Sequence, residues 1–150
     1  AGIIQLCHNV SLPAFPLNAY EKSEQFRAYM TDTGLLTAMY GYDMKAAIIQ
    51  DTLKGPAKGG IYENIIAAML VKKGHKLYYY KPDDSNELEF LLEKNASVIP
   101  IEVKAGNTAT KSLNRFIESY KPFIAYKLID GNVGVDGVRL TLPHYMVMFI

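Results

Sequence analysis

Residues 87–106 read ELEFLLEKNASVIPIEVKAG. Two runs of strand-forming residues, 87–94 and 97–105, flank a short polar break, which predicts a hairpin. Side chains alternate faces along a strand. In the first run Glu87, Glu89, Leu91 and Glu93 share one face, and Leu88, Phe90 and Leu92 the other. In the second, Ile99, Ile101, Val103 and Ala105 form an apolar face opposite Val98, Pro100, Glu102 and Lys104. A turn at Asn95 and Ala96, or the wider Lys94–Ser97, sets Glu93 against Val98. The same register sets Glu89 against Glu102 and Glu87 against Lys104; an odd loop length would shift it.

Facing residues hold their Cβ atoms about 4.5–5.5 Å apart, and two carboxylates that close repel by a few tenths to about 1 kcal/mol. A divalent cation between them reverses the sign of that interaction, and hard oxygen ligands suit Mg²⁺ or Mn²⁺. Lys104 would then orient a metal-bound water or stabilise charge on a phosphate. The ordinary reading of such alternation is a solvated face. Pro100 also argues for an edge or a bulge. On the residues alone both readings stand open.

Upstream of the hairpin, IYENIIAAMLVKKG (61–74) repeats Ile61, Ile65 and Met69, with Tyr62, Ile66 and Leu70 beside them. That is a wide apolar helix face, with Lys72 and Lys73 in the last turn and Gly74 as C-cap. Glu63 falls in line with Ile66, Ala67 and Leu70, towards the buried face. A carboxylate there needs a partner; a metal site on the sheet, a lysine or backbone groups would each serve. LKGPAKGG (53–60) reads as a mobile glycine-rich loop. Residues 3–7 and FRAYMTD (26–32) read as strands, LPAFPLN as an extended connector, and GLLTAMYG as a helix capped by Asp32 or Thr33. DMKAAIIQDTL (43–53) has helical composition. HKLYYYK (75–81) reads as a strand and PDDSN (82–86) as a turn.

Downstream, NTAT (107–110) offers a helix cap. KSLNRFIESYK (111–121) is amphipathic through Leu113, Phe116, Ile117 and Tyr120. FIAYKLID (123–130) and VRLTL (138–142) read as strands, GNVGVDG as a loop, and PHYMVMFI as a hydrophobic tail. The order predicts one α/β (α+β) domain, a mixed sheet with helices packed on it.

A chain of 150 residues is long enough for one domain with a real core. Its formal net charge of +1 gives no global pull towards nucleic acid or membrane. The single cysteine, Cys7, excludes an internal disulfide and fits a cytoplasmic protein. No apolar run approaches a membrane span. The opening AGIIQL reads as an entry partway through a longer polypeptide. His8, His75 and His144 lack metal-ligand spacing. Tyr78, Tyr79 and Tyr80 suit packing under a helix better than base stacking. Lys72, Lys73, Lys76, Lys111, Arg115 and Lys121 are candidates for a phosphate-binding groove, or simply solvated positions.

Taken in order, GGIYENIIAAML, a Tyr-rich strand, ELEFLLEK, IPIEVKAG and KSLNRF resemble the C-terminal domain of unknown function of bacterial and archaeal AAA-type ATPases. That domain is related to the PD-(D/E)XK nuclease superfamily. FRAYMTDTGLLTAMYG and LPHYMVMFI resemble the same family's upstream segment and its C-terminal strand. The resemblance implies a restriction-endonuclease-like fold with a mixed central sheet of about four to five strands flanked by helices. It implies a single domain over 1–150, C-terminal to an ATPase domain, and DNA as a partner. Carried over residue by residue, Glu89 and Glu102 are metal ligands, Val103 offers its carbonyl, Lys104 is the catalytic lysine and Glu63 the helical acid. The cofactor implied is Mg²⁺ or Mn²⁺. One departure matters: the family's strand acid is usually Asp in Glu-Val-Asp-Phe, and here it is Glu89 in ELEF. The longer side chain makes an inactive interaction module the alternative. No G-x-x-x-x-G-K-[ST] phosphate loop occurs.

Overall fold

The computed structural model describes residues 2–106 and 109–150. Its strands are β1 Ile4–Val10, β2 Glu21–Met30, β3 Tyr78–Asp83, β4 Asn86–Lys94, β5 Ser97–Val103, β6 Ala125–Ile129, β7 Gly134–Asp136 and β8 Arg139–Pro143. Its helices are α1 Thr33–Tyr40, α2 Tyr42–Ile49, α3 Gly55–Lys72 and α4 Lys111–Tyr120, with short 3-10 turns at Leu17–Tyr20 and His144–Phe149. The strands form one mixed sheet in the order β2-β1-β3-β4-β5-β6-β8-β7. The sheet therefore has eight strands, not the four to five expected. The N-terminal hairpin extends one edge and the three-residue β7, inside a stretch that reads as a loop, extends the other.

The quoted hairpin lies in the middle of this sheet. β4 and β5 pair antiparallel with Glu93 facing Val98 and Phe90 facing Ile101. The turn is Asn95 and Ala96, with φ of 53° and 57°. Two consecutive left-handed residues make the tight turn whose twist matches the strands it joins. Pro100 sits inside a central strand, opposite Leu91. The parallel ladder to β6 begins one residue later, at Ile101, so no bond to β6 asks for an N–H at Pro100.

Helices cover both faces, as an α/β sheet requires. On one, Ile66, Ala67 and Leu70 of α3 pack with Phe90, Leu92, Ile99, Ile101, Val103 and Leu128. On the other, Leu113 and Phe116 of α4 pack with Tyr78, Leu88, Leu91 and Ala125. A fully buried aliphatic or aromatic side chain contributes about 1.5–3 kcal/mol, so these two layers fix the helices onto the sheet. Tyr79 points to the α3 side and Tyr78 to the α4 side, as strand alternation demands.

Two expectations are corrected. The glycine-rich 55–60 segment is the start of α3, with Pro56 in its first turn, where proline costs no intrahelical bond. Of the closing LPHYMVMFI, only Leu142 and Pro143 are strand, the end of β8; residues 144–149 form a 3-10 turn whose Val147 is fully buried against the α3-side core. Asp32 caps α1 by accepting from the Leu35 N–H at 3.0 Å. No helix of the described residues is long and apolar enough to cross a membrane.

Candidate functional site

The β4–β5 ladder stops where the charges begin. Its last pair is Phe90 with Ile101, so the expected pair of Glu89 with Glu102 does not continue the ladder. There the Glu89 carboxylate takes over from the backbone: its Oε2 accepts the Val103 N–H at 3.0 Å. The β3–β4 register shifts between Tyr78 and Tyr80. Leu88 consequently joins Leu91 on the α4 side, while Phe90 and Leu92 lie on the α3 side. The strict face alternation expected along β4 breaks at this point. Glu87 does not meet Lys104; it pairs with Arg27 of β2.

Lys104 reaches both remaining acids. Its Nζ lies 3.4 Å from Glu89 Oε1 and 3.3 Å from Glu102 Oε1. Its backbone is held on both sides: the N–H donates to the Leu128 carbonyl at 2.9 Å, and His144 Nε2 donates to the Lys104 carbonyl at 2.9 Å. His144 in turn stacks on Tyr62 of α3, with ring centroids 4.2 Å apart. Lys104 is thus a side chain with a fixed root.

Glu102 is 1% exposed and Glu89 6%. Burial pushes the Glu102 carboxyl up to about 7, with Glu89 adding to the rise and Lys104 opposing it. Its Oε2 is buried and has no hydrogen-bond partner among the described residues. A buried oxygen left in that state costs roughly 1–3 kcal/mol. For Lys104, burial disfavours the charge, but the two carboxylates outweigh it and the ammonium is held above its ordinary range. Lys127 of β6 stands beside Glu102 in the parallel register. Burial lowers it, Glu102 opposes that, and the cations Arg139 and Lys104 lower it further.

Glu63 occupies α3 at the edge of this cluster, bound to other residues. Its Oε2 accepts from the Tyr29 hydroxyl at 3.3 Å and lies 3.7 Å from Arg27 Nη1. Burial raises its pKa first, and the Glu89 charge second, so it feels the site through the field. Arg27 sits 4.7 Å over the Tyr79 ring and joins Glu63 to Glu87. Sequence reasoning gave no role to Arg27, His144 or Lys127. Arg27 and His144 come from segments remote from the hairpin, and Lys127 is placed by a parallel crossover that local pattern does not announce.

Among the described residues, no group of three or more His, Cys, Asp or Glu side chains stands close enough to hold a metal ion. The carboxylates that Lys104 brings together are Glu89 and Glu102. The orphaned Glu102 Oε2 is the feature that fits a cation. Both Glu89 oxygens are already engaged, by Val103 and Lys104. In the predicted NTAT cap, Asn107 and Thr108 lie outside the described residues; Thr110 holds the N-cap position of α4 without a side-chain capping bond, its Oγ1 donating instead to Asn114 Oδ1 at 3.3 Å. Cys7 is fully buried, and burial pushes its thiol up to about 12, an inert state.

A family model described as a domain of unknown function, DUF4143, matches residues 58–139, more than half of the chain. The chain belongs to DUF4143. The DUF4143 match takes in nearly all of α3, the β3–β4–β5 meander, α4, β6, β7 and the first residue of β8. Glu63, Glu89, Glu102, Val103 and Lys104 all fall inside it; Arg27 and His144 fall outside. No curated protein and no solved structure matches the chain.

Proposed function

We propose that the Glu89–Glu102–Lys104 cluster holds a divalent cation, Mg²⁺ or Mn²⁺, and that the domain hydrolyses phosphodiesters in the manner of PD-(D/E)XK nucleases. One observation carries this reading: a nearly inaccessible carboxylate, Glu102, keeps one buried oxygen without a partner beside a second carboxylate and a lysine. A cation satisfies that oxygen and removes the repulsion between the acids. The resemblance to the C-terminal domain of AAA-type ATPases supports the same assignment, and with it an upstream ATPase domain as partner and DNA as substrate.

When bound, the cation supplies Lewis-acid polarisation and a nucleophilic water at neutral pH. The chain's own residues do the rest. Glu102, once deprotonated, and Glu89 would hold the cation, with Glu89 Oε1 drawn away from Lys104 while Oε2 kept the Val103 N–H. The freed Lys104 ammonium, rooted by Leu128 and His144, stabilises negative charge developing on the phosphate. Arg27 and Tyr29 hold Glu63 near enough to bias the field at Glu89.

A second reading has its own observation. The Lys104 ammonium already lies between both carboxylates, an internally compensated cluster that asks for no metal. Together with the Glu89 departure, this favours a non-catalytic interaction module of the ATPase. Calorimetry with Mn²⁺ on wild type and Glu102→Ala, with plasmid nicking on the same samples, separates the two. The nuclease reading expects binding and nicking in wild type and neither in the variant. Equal heats in both proteins would remove it.

A further inference from the structure

The start of α4 and strands β6 to β8 enclose a cleft of about 710 Å³. Its cationic lining is Lys111, Lys127 and Arg139, joined by Thr110, Asn114 and Thr141, and none of its described lining residues is acidic. Arg139 is set in place: Nη1 donates to Asn114 Oδ1 at 2.6 Å and to Thr110 Oγ1 at 3.3 Å, and Nη2 to Asp136. Asp136 is 76% exposed in its side chain, so solvent screens most of its offset. Lys127 is 7% exposed and stands beside Glu102 in the sheet register, so one wall of the cleft is shared with the candidate site. Thr110 and Lys111 bring the N-terminus of α4 to the rim, where the N-cap Thr110 makes no side-chain capping bond. The first-turn N–H groups and the helix dipole favour an anion there.

One bonded guanidinium, two lysines, hydroxyl and amide donors and a helix N-terminus suit a ligand with several acceptor oxygens more than a planar carboxylate. We propose that this cleft is an oxyanion site that takes a phosphate group. Resting on the nuclease-like reading, that group is the internucleotide phosphate next to the one being hydrolysed. The substrate backbone would then run from the Glu102 cluster, past Lys127, to Lys111 and Arg139.

The test uses the intact chain in chelator-containing buffer, so that it is independent of any cation at Glu102. Amide chemical shifts are followed while inorganic phosphate, and separately a short DNA duplex, are added. Both probes are expected to move amides of residues 109–114 and 139–141. Lys111→Glu, an exposed position, is expected to weaken duplex binding by about tenfold, and Lys111→Ala to lower the salt dependence by about one counterion. Phosphate binding without duplex binding would overturn the nucleic-acid assignment. Shifts confined to other surfaces, or a Lys111→Glu protein that binds the duplex like wild type, would overturn the site itself. Because no metal is present, these outcomes stand whether or not Mn²⁺ binds at Glu102.

Discussion

Glu102 concentrates the energetics of the site in one side chain. It is buried, its pKa is raised to about 7, and Lys104 compensates only one of its oxygens. A carboxyl whose folded pKa lies above its unfolded value binds more protons when folded. Its ionisation therefore costs stability as pH rises from about 4.5 to about 7, and the cost is complete above that. The Glu63 shift runs in the same direction but is common to wild type and a Glu102 variant. Glu102→Gln is expected to gain up to roughly 3 kcal/mol on wild type between pH 5 and pH 8. Denaturant unfolding across that range measures it, and parallel profiles for the two proteins would contradict it. The residues of this cluster were legible because a two-residue turn fixes the hairpin register and runs Glu89, Glu102 and Lys104 out to the same end of the ladder. Their partners were not. The β3–β4 register shift moves Leu88 to the other face, Glu87 goes to Arg27, and His144 reaches Lys104 from the C-terminal turn.

At the scale of elements, α3 does more than cover the sheet. Asn64, 3% exposed, accepts from the Met30 N–H at 2.7 Å and donates to the Met30 carbonyl at 3.0 Å and to Thr33 Oγ1 at 3.3 Å. One helix side chain thus completes the backbone bonding where β2 ends and α1 begins. Asn64→Ala removes the side-chain partner of both backbone groups of the half-buried Met30 and is expected to cost about 1–3 kcal/mol; a loss under about 0.5 kcal/mol in urea unfolding would contradict this. Asn9 plays the same part for β3, accepting from the Lys81 N–H at 3.1 Å. The apolar periodicity of α3 was visible from Ile61 onward. Its first turn was not, because Gly55, Gly59 and Gly60 have low helix propensity that only tertiary packing overrides. The hydrophobic tail failed as a strand for a related reason: burial of Val147 and Ile150 is satisfied equally by a 3-10 turn, and composition does not distinguish the two.

At the scale of the molecule, the candidate site lies at the middle of an eight-stranded sheet, where β4 and β5 part and helices close both faces. The mixed α/β class followed from the order of elements. The sheet's width did not: the count of four to five came with the resemblance, and although β1 and β2 read as strands, their exposed Ile4, Leu6 and Phe26 gave no clean buried face to tie them to the central sheet. Position explains the chemistry of the cluster: only a central strand pair can desolvate Glu102 this fully, while the end of the ladder keeps Lys104 28% exposed and open to a substrate. The most direct measurement is anomalous scattering from crystals of the chain grown with Mn²⁺. The account predicts a single manganese peak in contact with Glu89 and Glu102, with the Lys104 ammonium moved off both. Crystals showing no peak there, and Lys104 still spanning the two carboxylates, would contradict it.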